Sequence, residues 1–224
     1  ANLYAFVRND GVNQWHYLGM WRSRWIGPGK PPHQASNERI LGGKFSPAGL
    51  ALIDRRTEYY DSSKFQTLDT SFRHGMLSPG QSQADGREMV DSFVREQMAR
   101  ARLLRMQGRQ DGSLDAFTAA LHTLQDLTSP SHTSRDGRLL TWRGTDGAAN
   151  MVRAGLHVHL EFNDPGVGSE LDQATRFAAD WLTAGQVPRG NVVDALMLAL
   201  GRDAFGAGEA RSSPLGETIV LDKF

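Results

Sequence analysis

Two stretches that read as helix pair a histidine with a carboxylate four residues on. These are His122 with Asp126 in LHTLQDLTSPSH (121–132), and His157 with Glu161 in HVHLE (157–161). On a helix such residues share a face, about one turn or ~5.4 Å apart along the axis. Two neighbouring helices that each offer such a pair can build a metal centre without loops. His132 lies just past Pro130, where the chain leaves the first helix and can fold back over its end. These five side chains can therefore converge between two helices. A lone His-x-x-x-Asp is more economically a core histidine bonded to a backbone carbonyl. The combination, in a chain with only seven histidines, favours a metal. There is no cysteine, so any ion must be held by His, Asp and Glu. Oxygen and nitrogen ligands without sulfur suit zinc in a hydrolytic role. His159 is two residues from His157, and a helix turns it to another face.

The elements that must carry these residues read as helices. Residues 85–107 have the composition and periodicity of a long amphipathic helix, with Met89, Val90, Phe93, Met98, Ala101 and Leu104 on its apolar face. The GRQDGS turn ends it, and Ser113 reads as the N-cap of a helix running to about Thr128. Pro130 stops that helix, because proline disfavours helical geometry in the residue before it. Residues 147–162, SELDQATRFAADWLTAG and GNVVDALMLALGRDAF supply three more helices. Glycine follows the second of these in the usual C-terminal place. Residues 1–20 read as strand and turn, 21–57 as a Gly- and Pro-rich irregular connection, and the tail as short and partly strand. The expected architecture is mainly α, a helical bundle with an interhelical metal cleft preceded by a short β or irregular segment. Its divisions are 1–20, 21–57 and 58–224.

Composition narrows the partners. Twenty-five basic residues balance twenty-five acidic ones, so no basic surplus points to a nucleic-acid backbone. No apolar run is long enough to span a membrane, and no signal peptide is recognisable at Ala1. The chain begins without Met, which suggests a fragment cut from something larger.

LHTLQDLTSPSH resembles the His-x-x-x-Asp-x-x-x-Pro-x-His signature of zinc-dependent phospholipases C and their relatives, the fungal single-strand nucleases. The resemblance implies an all-helical protein whose three-zinc cleft hydrolyses phosphodiesters. Carried over, His122 and Asp126 bind one side of the cluster, and His132, His157 and Glu161 hold a second zinc. The family also needs an upstream aspartate and a histidine about a dozen residues beyond it. FRHGM supplies His74; Asp61 lies 13 residues before it and Asp69 only 5, so spacing favours Asp61 without excluding Asp69. That carboxylate would orient the attacking water and take its proton. HVHLE, with Glu rather than Asp, is similar to the phospholipase branch. A phospholipid or membrane-surface substrate is therefore expected. A nuclease with the same metals and a non-catalytic interaction module are the alternatives.

The opening ANLYAFVRNDGVNQWHYLGM is similar to the segment that closes the β-shell of Rhs/YD-repeat proteins, which a variable toxin domain follows. The match lies in NLYAFVRND, VN and LGM; Gly11 and His16 depart from it, and His16 stands where the family has an aspartate linked to self-cleavage. The resemblance implies a toxin delivered by a bacterial secretion system, with the parent shell and an immunity protein as partners. Cleavage after Met20 would make Trp21 the new N-terminus. In the phospholipase and nuclease families that amino group and carbonyl bind zinc, here with His33 as companion. The plainer expectation is that Trp21 packs on the core and His33 is exposed.

Overall fold

The computed structural model describes residues 30–61, 65, 67–142 and 165–202. Within them the chain folds as α1 (Pro32–Leu41), α2 (Pro47–Tyr60), a 3-10 helix (Leu68–His74), α3 (Gln83–Met106), α4 (Gln110–Asp126), α5 (Glu170–Ala184) and α6 (Val192–Ala199). The expected mainly helical bundle is what forms. The strands expected in 1–20, the helix expected over 147–162 and the tail lie outside the described residues.

Helix α4 is the axis of the bundle. Every residue from Ala116 to Asp126 is buried, and the helix packs on α2, α3, α5 and the 3-10 helix. Ala116, Ala119 and Ala120 let neighbours approach, while Phe117, Leu121 and Leu124 fill the space between them. Helix α3 presents Val90, Val94, Met98, Ala101 and Leu104 to this core. Met89, expected on the same face, is 41% exposed.

Residues 21–57 do not form an irregular connection throughout: α1 and most of α2 lie there. Their prolines sit in first turns, where the missing N–H would have no partner anyway. Ser46 caps α2 by accepting from Gly49 N at 3.1 Å. Read by composition alone, these helix starts look like helix breakers.

Two other boundaries shift. Helix α4 starts at Gln110, so Ser113 is inside it rather than its cap. The Ser113 hydroxyl instead donates to the Ala101 carbonyl of α3 at 2.8 Å. The helix ends at Asp126, before Thr128, and Pro130 follows three non-helical residues rather than the helix itself. Helices α5 and α6 start at Glu170 and Val192, capped by Ser169 and Asn191. Helix α6 is shorter than expected, because Gly201 takes φ 70° just beyond it.

The turn after the 3-10 helix controls where His74 points. Gly75 has φ 64°, and a Cβ there would come within 2.7 Å of Leu127 Cδ2. The chain then runs into a clip in which Leu77 N donates to Leu140 O at 2.9 Å and Trp142 N to Leu77 O at 2.7 Å. Leu140 N donates in turn to the His132 carbonyl at 2.7 Å, fixing the backbone of that histidine. Among the described residues no helix is long and apolar enough to cross a membrane.

Candidate metal centre

Asp61 at the end of α2, His74 at the end of the 3-10 helix, and His122 and Asp126 in the last turns of α4 meet in the interior. One ligand atom of each lies within 4.8 Å of the others, and all four residues are buried. His122 Nε2 is 3.2 Å from Asp61 Oδ1 and 3.3 Å from Asp126 Oδ2. It is also 3.3 Å from His74 Nδ1, which is itself 2.9 Å from Asp126 Oδ2. Four ligands bonded to a tetrahedral zinc at about 2.05 Å lie about 3.3 Å from one another. Four of the six separations, at 2.9–3.3 Å, are close to that spacing, and the group can hold a metal ion.

Three of the buried histidines, His74, His132 and His33, are oriented as ligands. His74 Nε2 faces the Phe65 carbonyl at 3.2 Å, and its Nδ1 faces Asp126 Oδ2 at 2.9 Å. With its proton on Nε2, a neutral His74 would offer its Nδ1 lone pair to an ion beside that carboxylate. His132 Nδ1 donates to the His74 carbonyl, and its buried Nε2 has no hydrogen-bond partner among the described residues. His33 repeats the pattern: Nδ1 meets Gln125 Oε1 at 2.9 Å, while Nε2 lies 3.2 Å from Asp126 Oδ1 without a hydrogen bond. In each ring one nitrogen is committed to a carbonyl oxygen, as the outer partners of metal-bound histidines do, leaving the other as an electron-pair donor. Lone pairs facing carboxylate oxygens are repulsive unless a cation stands between them.

Electrostatics points the same way. Asp126 closes a helix whose last turn has no basic residue, so the helix dipole adds to its negative charge. Burial alone would raise the Asp126 pKa, but His122 first, and then His132, hold it well below the usual range. Burial would likewise lower His122, yet the Asp126 and Asp61 carboxylates outweigh it and push it up to about 9. Asp61 is held below its ordinary value by His122, against burial. His132 is pushed down to about 4 by burial, with Asp126 pulling the other way. Tyr60, whose ring lies 6.5 Å from that of His122, is pushed up to about 12 by burial and then by Asp115. Its phenol stays neutral and forms a wall of the site.

A proton linkage follows. Without metal His122 carries a proton at neutral pH, and an ion must displace it. Affinity should rise about tenfold per pH unit from about pH 7 to about pH 9, with one proton released per ion. Calorimetric titration in two buffers of different ionisation enthalpy reads that proton directly. An affinity that is flat across the window would remove His122 from the ligand set.

Of the residues expected from sequence, Asp61, His74, His122 and Asp126 come together, and His132 joins them through the His74 carbonyl. Asp69 does not: it is exposed in the first turn of the 3-10 helix. His157, Glu161 and Trp21 lie outside the described residues. His33 is the correction of largest consequence. It is a fully buried residue of α1, not an exposed loop histidine. Gln125, directly before Asp126, was missed altogether because nothing in its type or spacing sets it apart.

No family model, curated protein or solved structure matches the chain.

Proposed function

We propose that the chain is a zinc-dependent phosphodiester hydrolase, phospholipase C-like, acting as a toxin domain of an Rhs-type parent protein. The observation that carries the metal reading is the buried Asp61–His74–His122–Asp126 group, with Asp126 also facing His33. Two or three ions are expected, with His132, His157 and Glu161 around one and Trp21 beside His33 at another, as the resemblance implies. Bound zinc would supply Lewis-acid polarisation of a phosphoryl oxygen and make water a nucleophile at neutral pH.

The residues of the chain do the rest. Asp126 offers one oxygen to the His74–His122 side and the other to His33, so it holds two seats at a fixed separation. The carbonyls of Phe65 and His74 and the side-chain oxygen of Gln125 hold three imidazole planes in place. Asp61 is the most exposed of the four clustered residues, at 6%, and would be the carboxylate that orients a water and accepts its proton. A phospholipid is the favoured substrate, because Glu161 is similar to the phospholipase branch and the balanced charge offers no nucleic-acid footprint. The parent shell and an immunity protein are the proposed partners.

The test is the His132→Ala protein beside the wild type, measured for zinc content and for hydrolysis of phosphatidylcholine vesicles and single-stranded DNA. The expected result is zinc in the wild type, lipid cleavage, and a loss of about a hundredfold or more with loss of metal in the variant. A fully active, metal-free variant would end the proposal. Cleavage of DNA with inert lipid would move it to the nuclease reading.

A further inference from the structure

Behind the metal group lies a chain of buried polar side chains with one direction of hydrogen bonding. Thr175 on α5 donates its hydroxyl to the Leu171 carbonyl at 2.8 Å, as threonines in helices do. Its oxygen is therefore an acceptor for Gln125 Nε2 at 2.8 Å. Asn37 on α1 donates Nδ2 to Asp54 Oδ1 at 3.0 Å, which turns its own oxygen towards Gln125 Nε2, also at 3.0 Å. Two acceptors thus face the same end of the Gln125 amide. That end is the NH2, and the network rather than the shape of the amide fixes it. The other end is the carbonyl oxygen, 2.9 Å from His33 Nδ1, so a neutral His33 carries its proton on Nδ1. Asn37, Gln125, Thr175 and His33 are all completely buried, so water does not compete for these bonds.

The consequence lands on the other ring nitrogen. His33 Nε2 is left as a lone pair, 3.2 Å from Asp126 Oδ1. Had the amide been turned round, its NH2 would donate to Nδ1, the proton would sit on Nε2, and Asp126 would accept it, closing the seat.

We propose that Gln125 is a positioning residue, anchored through Asn37 and Thr175, that holds His33 as an Nε2 ligand for a second cation beside Asp126. This rests on the zinc reading above and adds what selects the ligand state of His33. Gln125 touches neither ion nor substrate; it acts through the imidazole.

The test uses the full chain as wild type, Gln125→Met and Gln125→Glu, with two readouts. Nitrogen-15 shifts of the His33 ring in metal-free protein at about pH 8 report the tautomer. Zinc titration reports two affinities. In the wild type His33 should be protonated at Nδ1. Gln125→Met should move the proton to Nε2 and weaken the second ion by about 10–100-fold, leaving the first ion unchanged. Gln125→Glu keeps an acceptor facing Nδ1 and should restore the second affinity to within a few-fold of wild type. Should Gln125→Met fail to fold, the wild-type spectrum and Gln125→Glu still decide: a wild-type His33 protonated at Nε2 overturns the proposal. Unchanged binding of both ions in Gln125→Met overturns it too, with the zinc reading intact. A wild-type protein that takes up no zinc overturns the zinc reading first, and the role of Gln125 with it.

Discussion

Replacing Asp126 with Asn should abolish metal binding at the whole centre while leaving the helices in place. Asp126 is completely buried, and its two oxygens face different histidines: Oδ2 the pair His74 and His122, Oδ1 His33. Asn keeps the shape but removes the negative charge and puts an NH2 where a lone pair stood. That NH2 can donate to His74 Nδ1 or His122 Nε2, so a neutral hydrogen bond occupies the place of the ion. Two carboxylates near a divalent cation neutralise it, and losing one in a buried site costs far more than in water. The expected loss of affinity is about a thousandfold or more, larger than the 10–100-fold seen when only an outer partner is removed. Circular dichroism of the variant should match the chelated wild type, and its melting temperature should no longer respond to added zinc. Zinc still bound at the wild-type ratio would show that the ligands lie elsewhere.

Removing the metal from the wild type is the second large effect. An ion present at about a thousand times its Kd stabilises the fold by about 4 kcal/mol. Each kcal/mol moves Tm by about 2–4 °C in a protein of this size, so chelation should lower it by about 8–16 °C for one ion. The metal-free protein should also show a pH dependence that the loaded protein lacks. His122 is raised from 6.5 to about 9, so its contribution is complete below 6.5 and lost as pH rises through about 9. His132 is lowered from 6.5 to about 4 and stays neutral when folded, so its contribution is present above 6.5 and lost as pH falls through about 4. These two groups together place the stability maximum of the metal-free protein near pH 6.5. Thermal melts with chelator across pH 4 to 9 trace that curve. A Tm unaffected by chelator would mean that the cluster holds no stabilising ion.

What the sequence made legible, and what it hid, divides along physical lines. His122 and Asp126 were legible because a helix converts a spacing of four into a shared face, and α4 is a helix. Asp61 was recoverable from its distance to His74. Asp69 stayed in contention because a 3-10 turn can place an aspartate either inward or in solvent, and only packing decides. The bundle itself was readable wherever apolar periodicity ran unbroken, as in α3 to α5. Helices α1 and α2 were not, because their prolines fall in first turns and mimic breakers; with α1 went His33, dismissed as a loop residue. Gln125 could not have been found at all. Its partners Asn37 and Thr175 are 88 and 50 residues away, and the direction of their hydrogen bonds exists only in three dimensions.

The central claim is that the buried cluster is a metal centre, and elemental analysis tests it most directly. Protein purified without chelator and exchanged into metal-free buffer should carry two or three zinc ions per chain, and the Asp126→Asn protein about none. A folded wild-type chain with no zinc, and none taken up when zinc is added at about pH 8, would contradict the account.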